Sequence, residues 1–244
     1  MCSISWADYP NPAVKIVSMN EIKKFAVLVA GGKGMRMGSA LPKQFLPLNG
    51  KPILAHSVIA FMNAFPDIQI IIVLPPDQLS YARMILSALP DPIDAIIVSG
   101  GETRFHSVQN GLNAIDGQGI VFVHDGARPM ITTDLIKRCY DQALEKGSAI
   151  PAIVVAESMR IIDGEDSSPV NRDLMRIIQT PQTFRTEVVI PAFEQPYNTA
   201  FTDEATVVEA AGIDIYLVEG EKSNIKVTTP EDMIVAEALM GAKA

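Results

Sequence analysis

Lys24-Phe-Ala-Val-Leu-Val-Ala30 runs directly into Gly31-Gly-Lys-Gly-Met-Arg-Met-Gly38. The first stretch is apolar at nearly every position instead of alternating, which is the pattern of a strand covered on both faces. The second is a glycine-rich loop whose backbone N–H groups can approach phosphate oxygens closely. A helix is predicted next, from about Pro52 to Phe65, with Ile53, Leu54, Val58, Phe61 and Met62 on one face. Further strands are expected at Gln69–Leu74, Ala95–Ser99, Gly119–His124 and Ser148–Val155, with helices near Asp77–Leu89, Arg104–Ile115 and Thr133–Lys146. Continuous Val/Ile runs alternating with helices predict a doubly wound α/β domain with a mostly parallel sheet.

The alternation breaks after Val155. Met159–Ile162 and Leu174–Ile178 read as two short strands around the polar turn Asp163–Ser168, so a protruding β-arm is expected at about 156–183. Helices are predicted again at Thr186–Glu194 and Asp203–Ala211, strands at Asp214–Val218 and Asn224–Val227, and a last helix opened by Thr229-Pro230-Glu231-Asp232. Residues 23–241 thus form one domain behind a loose N-terminal extension at 1–22, within which Met19 is an alternative start.

With 244 residues, 48% of them hydrophobic, the chain can build a large core without disulfides or a structural metal. Cys2 and Cys139 form no C-x-x-C, and His56, His106 and His124 are dispersed, so neither a zinc site nor a disulfide scaffold is expected and a reducing cytoplasm fits best. No apolar run reaches the length of a membrane span. The net charge of −8 argues against a nucleic-acid or membrane partner. Yet Ile22–Pro66 holds six cations (Lys23, Lys24, Lys33, Arg36, Lys43 and Lys51) and no acid, leaving −14 on the rest. That asymmetry suits a small, highly charged anion.

Four segments carry candidate chemistry. In the loop after the first strand, Gly31, Gly32 and Gly34 would admit phosphates that Lys33, Arg36 and Lys43 neutralise, although neither the P-loop nor the dinucleotide fingerprint is matched. His124-Asp-Gly-Ala-Arg-Pro129 ends a strand, where ligands of open α/β sheets bind; Asp125 suits a metal ion or a hydroxyl and Arg128 an anion, the bland alternative being an ion pair between them. In Asn224-Ile-Lys-Val-Thr228, a two-residue period would put Asn224, Lys226 and Thr228 on one face. In Gly100-Gly-Glu-Thr-Arg-Phe-His-Ser107, Arg104 and Ser107 share a face near a helix N-terminus. The set is an inventory for phosphoryl or nucleotidyl transfer.

Ala30-Gly-Gly-Lys-Gly-Met-Arg-Met, Pro42-Lys-Gln-Phe, Gly100-Gly-Glu-Thr-Arg, His124-Asp-Gly-Ala-Arg-Pro, Gln179-Thr-Pro-Gln, Thr202-Asp-Glu-Ala and Asn224-Ile-Lys-Val-Thr, in this order, resemble the 2-C-methyl-D-erythritol 4-phosphate cytidylyltransferases. The resemblance implies a Rossmann-like nucleotidyltransferase that uses CTP, a sugar-alcohol phosphate and Mg²⁺. By the same resemblance Arg36, Lys43 and Lys226 are the catalytic cations. Ala30, Gly31, Gly32, Gly34, Gly101, Glu102, Arg104 and Ser107 would surround the nucleotide. Asp125, Arg128, Ser158, Arg172 and Thr180 would form the acceptor pocket, the metal being held either by Asp125 or through the CTP phosphates. A homodimer through the arm is implied, with Ser158 and Arg172 coming from the partner. Val29, Glu102 and Ser158 depart from the common Pro, Asp and Thr of that family. Pro42–Pro52 is also typical of ribitol 5-phosphate cytidylyltransferases, which keeps that acceptor as an alternative, beside a non-catalytic nucleotide-binding protein.

Overall fold

The computed structural model describes residues 22–31, 41–87 and 93–241. The N-terminal extension before 22 lies outside them, as do Gly32, Lys33, Gly34 and Arg36. The first strand, β1, is Lys23–Val29; two short strands, β2 (Pro47–Leu48) and β3 (Lys51–Pro52), lead into α1 (Ile53–Ala64). The alternating core follows as β4 (Gln69–Leu74), α2 (Leu79–Ser87), β5 (Ala95–Ser99), α3 (Arg104–Leu112), β6 (Gly119–Asp125), α4 (Thr133–Lys146) and β7 (Ser148–Val154). The rest comprises β8 (Arg160–Asp163), β9 (Asp166–Pro169), β10 (Arg176–Ile178), β11 (Gln182–Arg185), α5 (Thr186–Ala192), α6 (Glu204–Ala210), β12 (Leu217–Glu219) and α7 (Pro230–Gly241).

Among the described residues the main sheet runs β10-β7-β11-β6-β1-β4-β5, with β12 on β7. β1 pairs in parallel with both β4 and β6, and β4 with β5, while β10 and β11 run antiparallel to their neighbours. The sheet is therefore mixed and mostly parallel, as the buried strand pattern implied. Its two faces divide by residue parity. Ala26, Leu28, Ile70, Ile72, Ile120 and Phe122 pack under α1, α2 and α4, whereas Phe25, Val27, Ile71, Val73, Val121 and Val123 pack under α3, α5 and α6. Each large side chain so buried contributes roughly 1.5–3 kcal/mol of transfer free energy.

Three expectations are corrected. The arm's hairpin pairs β8 with β9, so Asp166–Ser168, read as part of the turn, lies in a strand, while Arg176–Ile178 returns to the main sheet on β7. Polar residues suit β9 because both of its faces are exposed. The exposed arm also ends near 177, since Gln179, Thr180, Gln182 and Thr183 are buried and β11 inserts between β6 and β7. Finally, Asn224–Val227 joins no sheet. Burial there does not alternate, because Asn224 and Val227 are both fully buried and Lys226 is exposed between them.

Helix α3 sits close to the sheet because of a missing side chain. A Cβ on Gly111 would lie 2.5 Å from Val27 Cγ1 and 2.9 Å from Val73 Cγ2. Replacing Gly111 with Ala is therefore expected to lower unfolding free energy by about 1–3 kcal/mol through overpacking. Urea denaturation reads this, and an unchanged midpoint would contradict the packing argument.

Candidate functional site

In chain order the connections leave β1 in opposite directions, to β4 on one side and eventually to β6 on the other. The carboxyl ends of β1 and β6 thus flank a topological switch point, where open α/β sheets bind ligands. A cleft of about 310 Å³ opens there, lined by Val29, Ala30 and Gly31 at the end of β1, Gly101 to Arg104 at the start of α3, and Asp125 and Ala127 at the end of β6, with Lys43, Gln44, Ser107 and Lys226 closing it. Most described residues singled out in the sequence therefore meet in one place.

Asp125 is the centre of that meeting. By strand parity its side chain leaves β6 on the face of α3 and α6, like Val121 and Val123. Its Oδ1 accepts from Arg104 Nη2 at 3.1 Å; its Oδ2 lies 3.0 Å from Lys226 Nζ and 3.5 Å from Arg128 Nε. Burial favours the neutral acid, but Arg104, Lys226 and Arg128 overcome it and hold the carboxyl well below the usual carboxylate range. Arg104 is clamped from the other side by Glu204, at bonding contact with Nη1. Burial opposes the Arg104 charge, yet the two carboxylates hold its pKa above the ordinary value.

The elements that present these groups are fixed by local chemistry. Thr103 caps α3, its hydroxyl accepting from His106 N–H. Ser107 Oγ accepts from Gly101 N–H at 3.1 Å and donates to Thr103 O at 3.0 Å, folding the loop onto the helix. Gly101 must be glycine, because a Cβ there would sit 2.4 Å from His106 Cβ. Asp203 caps α6 with a capping box that sets Glu204 at the first helical position. The segment carrying Lys226 is held by Val227 N–H to Ala127 O at 2.8 Å and by Asn224 Nδ2 to Thr180 O at 2.9 Å. Lys43 Nζ donates to Val227 O at 3.2 Å, which brings the second cation to the same edge.

Some expected site residues lie elsewhere or act differently. Lys23 and Lys24 sit at the amino end of β1, roughly 20 Å from the cleft, where Lys24 pairs with Asp67 at 2.7 Å and Lys23 donates to Asp116 O. They do not belong to the anion site. Ser158 and Arg172 lie on the exposed arm, away from the cleft of their own chain. The Thr180 hydroxyl is buried and accepts from Asp125 N–H at 3.0 Å. Arg104 and Ser107 do not form a solvated polar face, since both are turned into the cleft. Glu204, Gln44 and Thr103 went unassigned in the sequence reading; Thr202-Asp-Glu-Ala was the only trace of Glu204.

Asp125→Asn would leave three cations facing a neutral amide, so a loss on the order of 3 kcal/mol at pH 7 is expected. Because the folded-state pKa of Asp125 is depressed, its contribution is fully present above the unfolded value near 4 and is lost as pH falls further. The stability gap between wild type and Asp125→Asn should therefore narrow below about pH 4. Denaturant titrations across pH check this, and a constant gap would contradict it.

The family model for 2-C-methyl-D-erythritol 4-phosphate cytidylyltransferase, IspD, matches residues 25–242. The Bacteroides fragilis protein of that name is 46% identical over 215 residues, which span 88% of this chain and 98% of its own. The solved structure of the Thermus thermophilus enzyme is 30% identical with a TM-score of 0.69, covering 88% of this chain and 98% of its own. The 4-diphosphocytidyl-2C-methyl-D-erythritol synthase of Anaerococcus prevotii superposes with a TM-score of 0.75 at 28% identity, over 90% of this chain and 99% of its own. These findings do not favour ribitol 5-phosphate as acceptor, nor a non-catalytic binder. With the match running from β1 through α7, the chain belongs to the 2-C-methyl-D-erythritol 4-phosphate cytidylyltransferase family.

Proposed function

We propose that the chain transfers CMP from CTP to 2-C-methyl-D-erythritol 4-phosphate by direct in-line displacement within this cleft. An oxygen of the acceptor phosphate forms a bond to the α-phosphorus. The bond from that phosphorus to the bridging oxygen breaks, and pyrophosphate leaves with the electron pair. The observation that supports this reading best is the Asp125 cluster: Lys226 and Arg104 converge on one buried carboxylate at the switch point, beside Lys43. Such fixed charges offset the repulsion between two phosphate-bearing substrates and need no rearrangement as the transition state forms.

In this reading the loops after β1 and β5 hold the nucleoside, with Ala30, Gly31, Gly101 and Glu102 against it. Lys43 and Arg36 meet the triphosphate, and Lys226 reaches the α-phosphate. Asp125 and Arg128 face the acceptor phosphate end, with Thr180 behind them. Ser158 and Arg172 fit an acceptor pocket only if a second copy of the chain presents its arm, which makes a homodimer the working assembly. No covalent bond to the protein is required.

A divalent cation fits the donor set in one manner. Among the described residues no three His, Cys, Asp or Glu side chains are grouped to hold a metal ion, while Asp125 and Glu102 both line the cleft. That arrangement suits Mg²⁺ carried mainly by substrate phosphates; Asp125 would ligate the ion only by exchanging its Lys226 or Arg128 contact for it. When bound, the ion neutralises phosphate charge and polarises the phosphoryl oxygens. A reducing cytoplasm suits Cys139, free and buried, whose thiol burial pushes up to about 12. Among the described residues no helix is long and apolar enough to cross a membrane.

Pyrophosphate release with CTP and Mg²⁺ should require 2-C-methyl-D-erythritol 4-phosphate and be weak with ribitol 5-phosphate. Equal rates with both would overturn the acceptor assignment. Lys226→Ala and Lys43→Ala are each expected to reduce kcat by about 10²–10³-fold with thermal stability retained. Near-normal turnover in either would remove that lysine from the mechanism.

A further inference from the structure

His124 has no part in the transfer described above, yet it is fully buried with both ring nitrogens engaged. Its parity places it with Ile120 and Phe122, on the face of β6 opposite Asp125, where its ring meets the Phe61 ring at 5.4 Å between centroids. Nε2 lies 3.3 Å from the main-chain oxygen of Arg128, and Nδ1 lies 3.1 Å from Thr180 Oγ1. The Arg128 oxygen only accepts, so this contact is a hydrogen bond in the Nε2–H tautomer. A ring buried this completely among aromatic side chains is neutral, which leaves Nδ1 an acceptor. Thr180 Oγ1 accepts from Asp125 N–H at 3.0 Å and has one proton of its own, which it gives to Nδ1.

In that tautomer the protons of the chain run in one direction. Asp125 N–H donates to Thr180, the Thr180 hydroxyl donates to His124, and His124 Nε2–H donates to Arg128 O. The relay begins on the backbone of one acceptor-site residue and ends on the backbone of the other. It braces the turn that Arg128 N–H closes onto Asp125 O at 3.0 Å. Ser57 Oγ, 3.3 Å from the same Arg128 oxygen, anchors that end to α1.

We infer that His124 is a positioning residue for the acceptor: from outside the cleft, through Thr180, it fixes the turn from which Asp125 and Arg128 project. The inference rests on the reading that those two side chains meet the acceptor phosphate. It also gives Thr180 a defined part, since a hydroxyl whose proton is committed to His124 supports Asp125 instead of donating to a phosphate. The nucleotide side of the cleft meets this relay only through Asp125, whose side chain pairs with Arg104 and Lys226, and through Gly126 N–H on Val29 O.

The test is steady-state kinetics with each substrate varied at saturation of the other, on wild type and on His124→Asn, His124→Gln, Thr180→Val, Thr180→Ser and Arg128→Ala. Asn keeps an acceptor near Nδ1 and loses the donor to Arg128, while Gln does the reverse. Both should raise KM for 2-C-methyl-D-erythritol 4-phosphate on the order of tenfold, the worth of one hydrogen bond, and raise KM for CTP by a clearly smaller factor, since the nucleotide side feels the turn only through Asp125. Thr180→Val should do the same, and Thr180→Ser should restore much of the loss. A parallel rise in both KM values, or no rise in either, would overturn the inference. If Arg128→Ala leaves the acceptor KM unaltered, the acceptor reading itself fails and takes the inference with it. Should the His124 variants not fold, nitrogen-15 spectra of the histidine rings in wild type decide: the Nε2–H form is expected, and the Nδ1–H form would contradict the relay.

Discussion

A carboxylate buried at the end of a central strand is the constraint on which the rest of this site depends. Asp125 occupies a position from which water is nearly excluded, and an isolated charge there would be strongly disfavoured. Arg104, Arg128 and Lys226 keep it ionised, and each arrives from a different part of the chain: the start of α3, the turn after β6 and the segment before α7. Satisfying one buried charge therefore ties three otherwise unrelated elements to the sheet edge. The positive charge gathered this way exceeds what Asp125 and Glu204 neutralise, leaving a surplus facing the cleft. In the proposed reaction that surplus would lower the repulsion between two anionic substrates brought within bonding distance.

The sheet supplies the precision. Period-two alternation along β6 sends Asp125 to the α3 and α6 face and His124 to the α1 face, so one dipeptide serves both layers of the domain. Gly111 lets α3 approach β1 and β4, and Asp203 starts α6 so that its first residue, Glu204, meets Arg104. Each of these local devices acts on the placement of a side chain at the switch point. A site built at the ends of buried strands in this manner is rigid before substrate arrives, which suits a reaction in which charge placement supplies most of the rate.

Much of this was legible in the sequence because buried parallel strands leave a strong signal: the Val/Ile runs of β1, β4 and β6 gave the layer order and placed Ala30, Gly31 and Asp125 at one edge. Lys43, Gly101, Arg104, Ser107 and Lys226 were likewise read as site residues and converge there. What escaped has physical reasons. β11 has the ordinary composition Gln-Thr-Phe-Arg and is a strand only because β6 and β7 leave a gap for it. The segment around Lys226 looked like a strand, but it is held by side-chain and loop hydrogen bonds that alternation cannot report. Lys23 and Lys24 counted toward the cationic stretch although the strand carries them to the opposite end. Glu204 stood in Thr202-Asp-Glu-Ala without a role because its partner is a hundred residues away, and Arg36, Gly32 and Gly34 fall outside the described residues.

In the proposed mechanism Asp125 organises the cations that receive CTP. A double-mutant cycle on CTP affinity, combining Asp125→Asn with Lys226→Met and measured by equilibrium titration with Mg²⁺ in the absence of acceptor, tests it most directly. Non-additivity with a coupling energy of about 1 kcal/mol or more is expected, since Lys226 loses its placement once the carboxylate is gone. Effects that add to within about 0.5 kcal/mol would mean that the two residues act independently, and would contradict it.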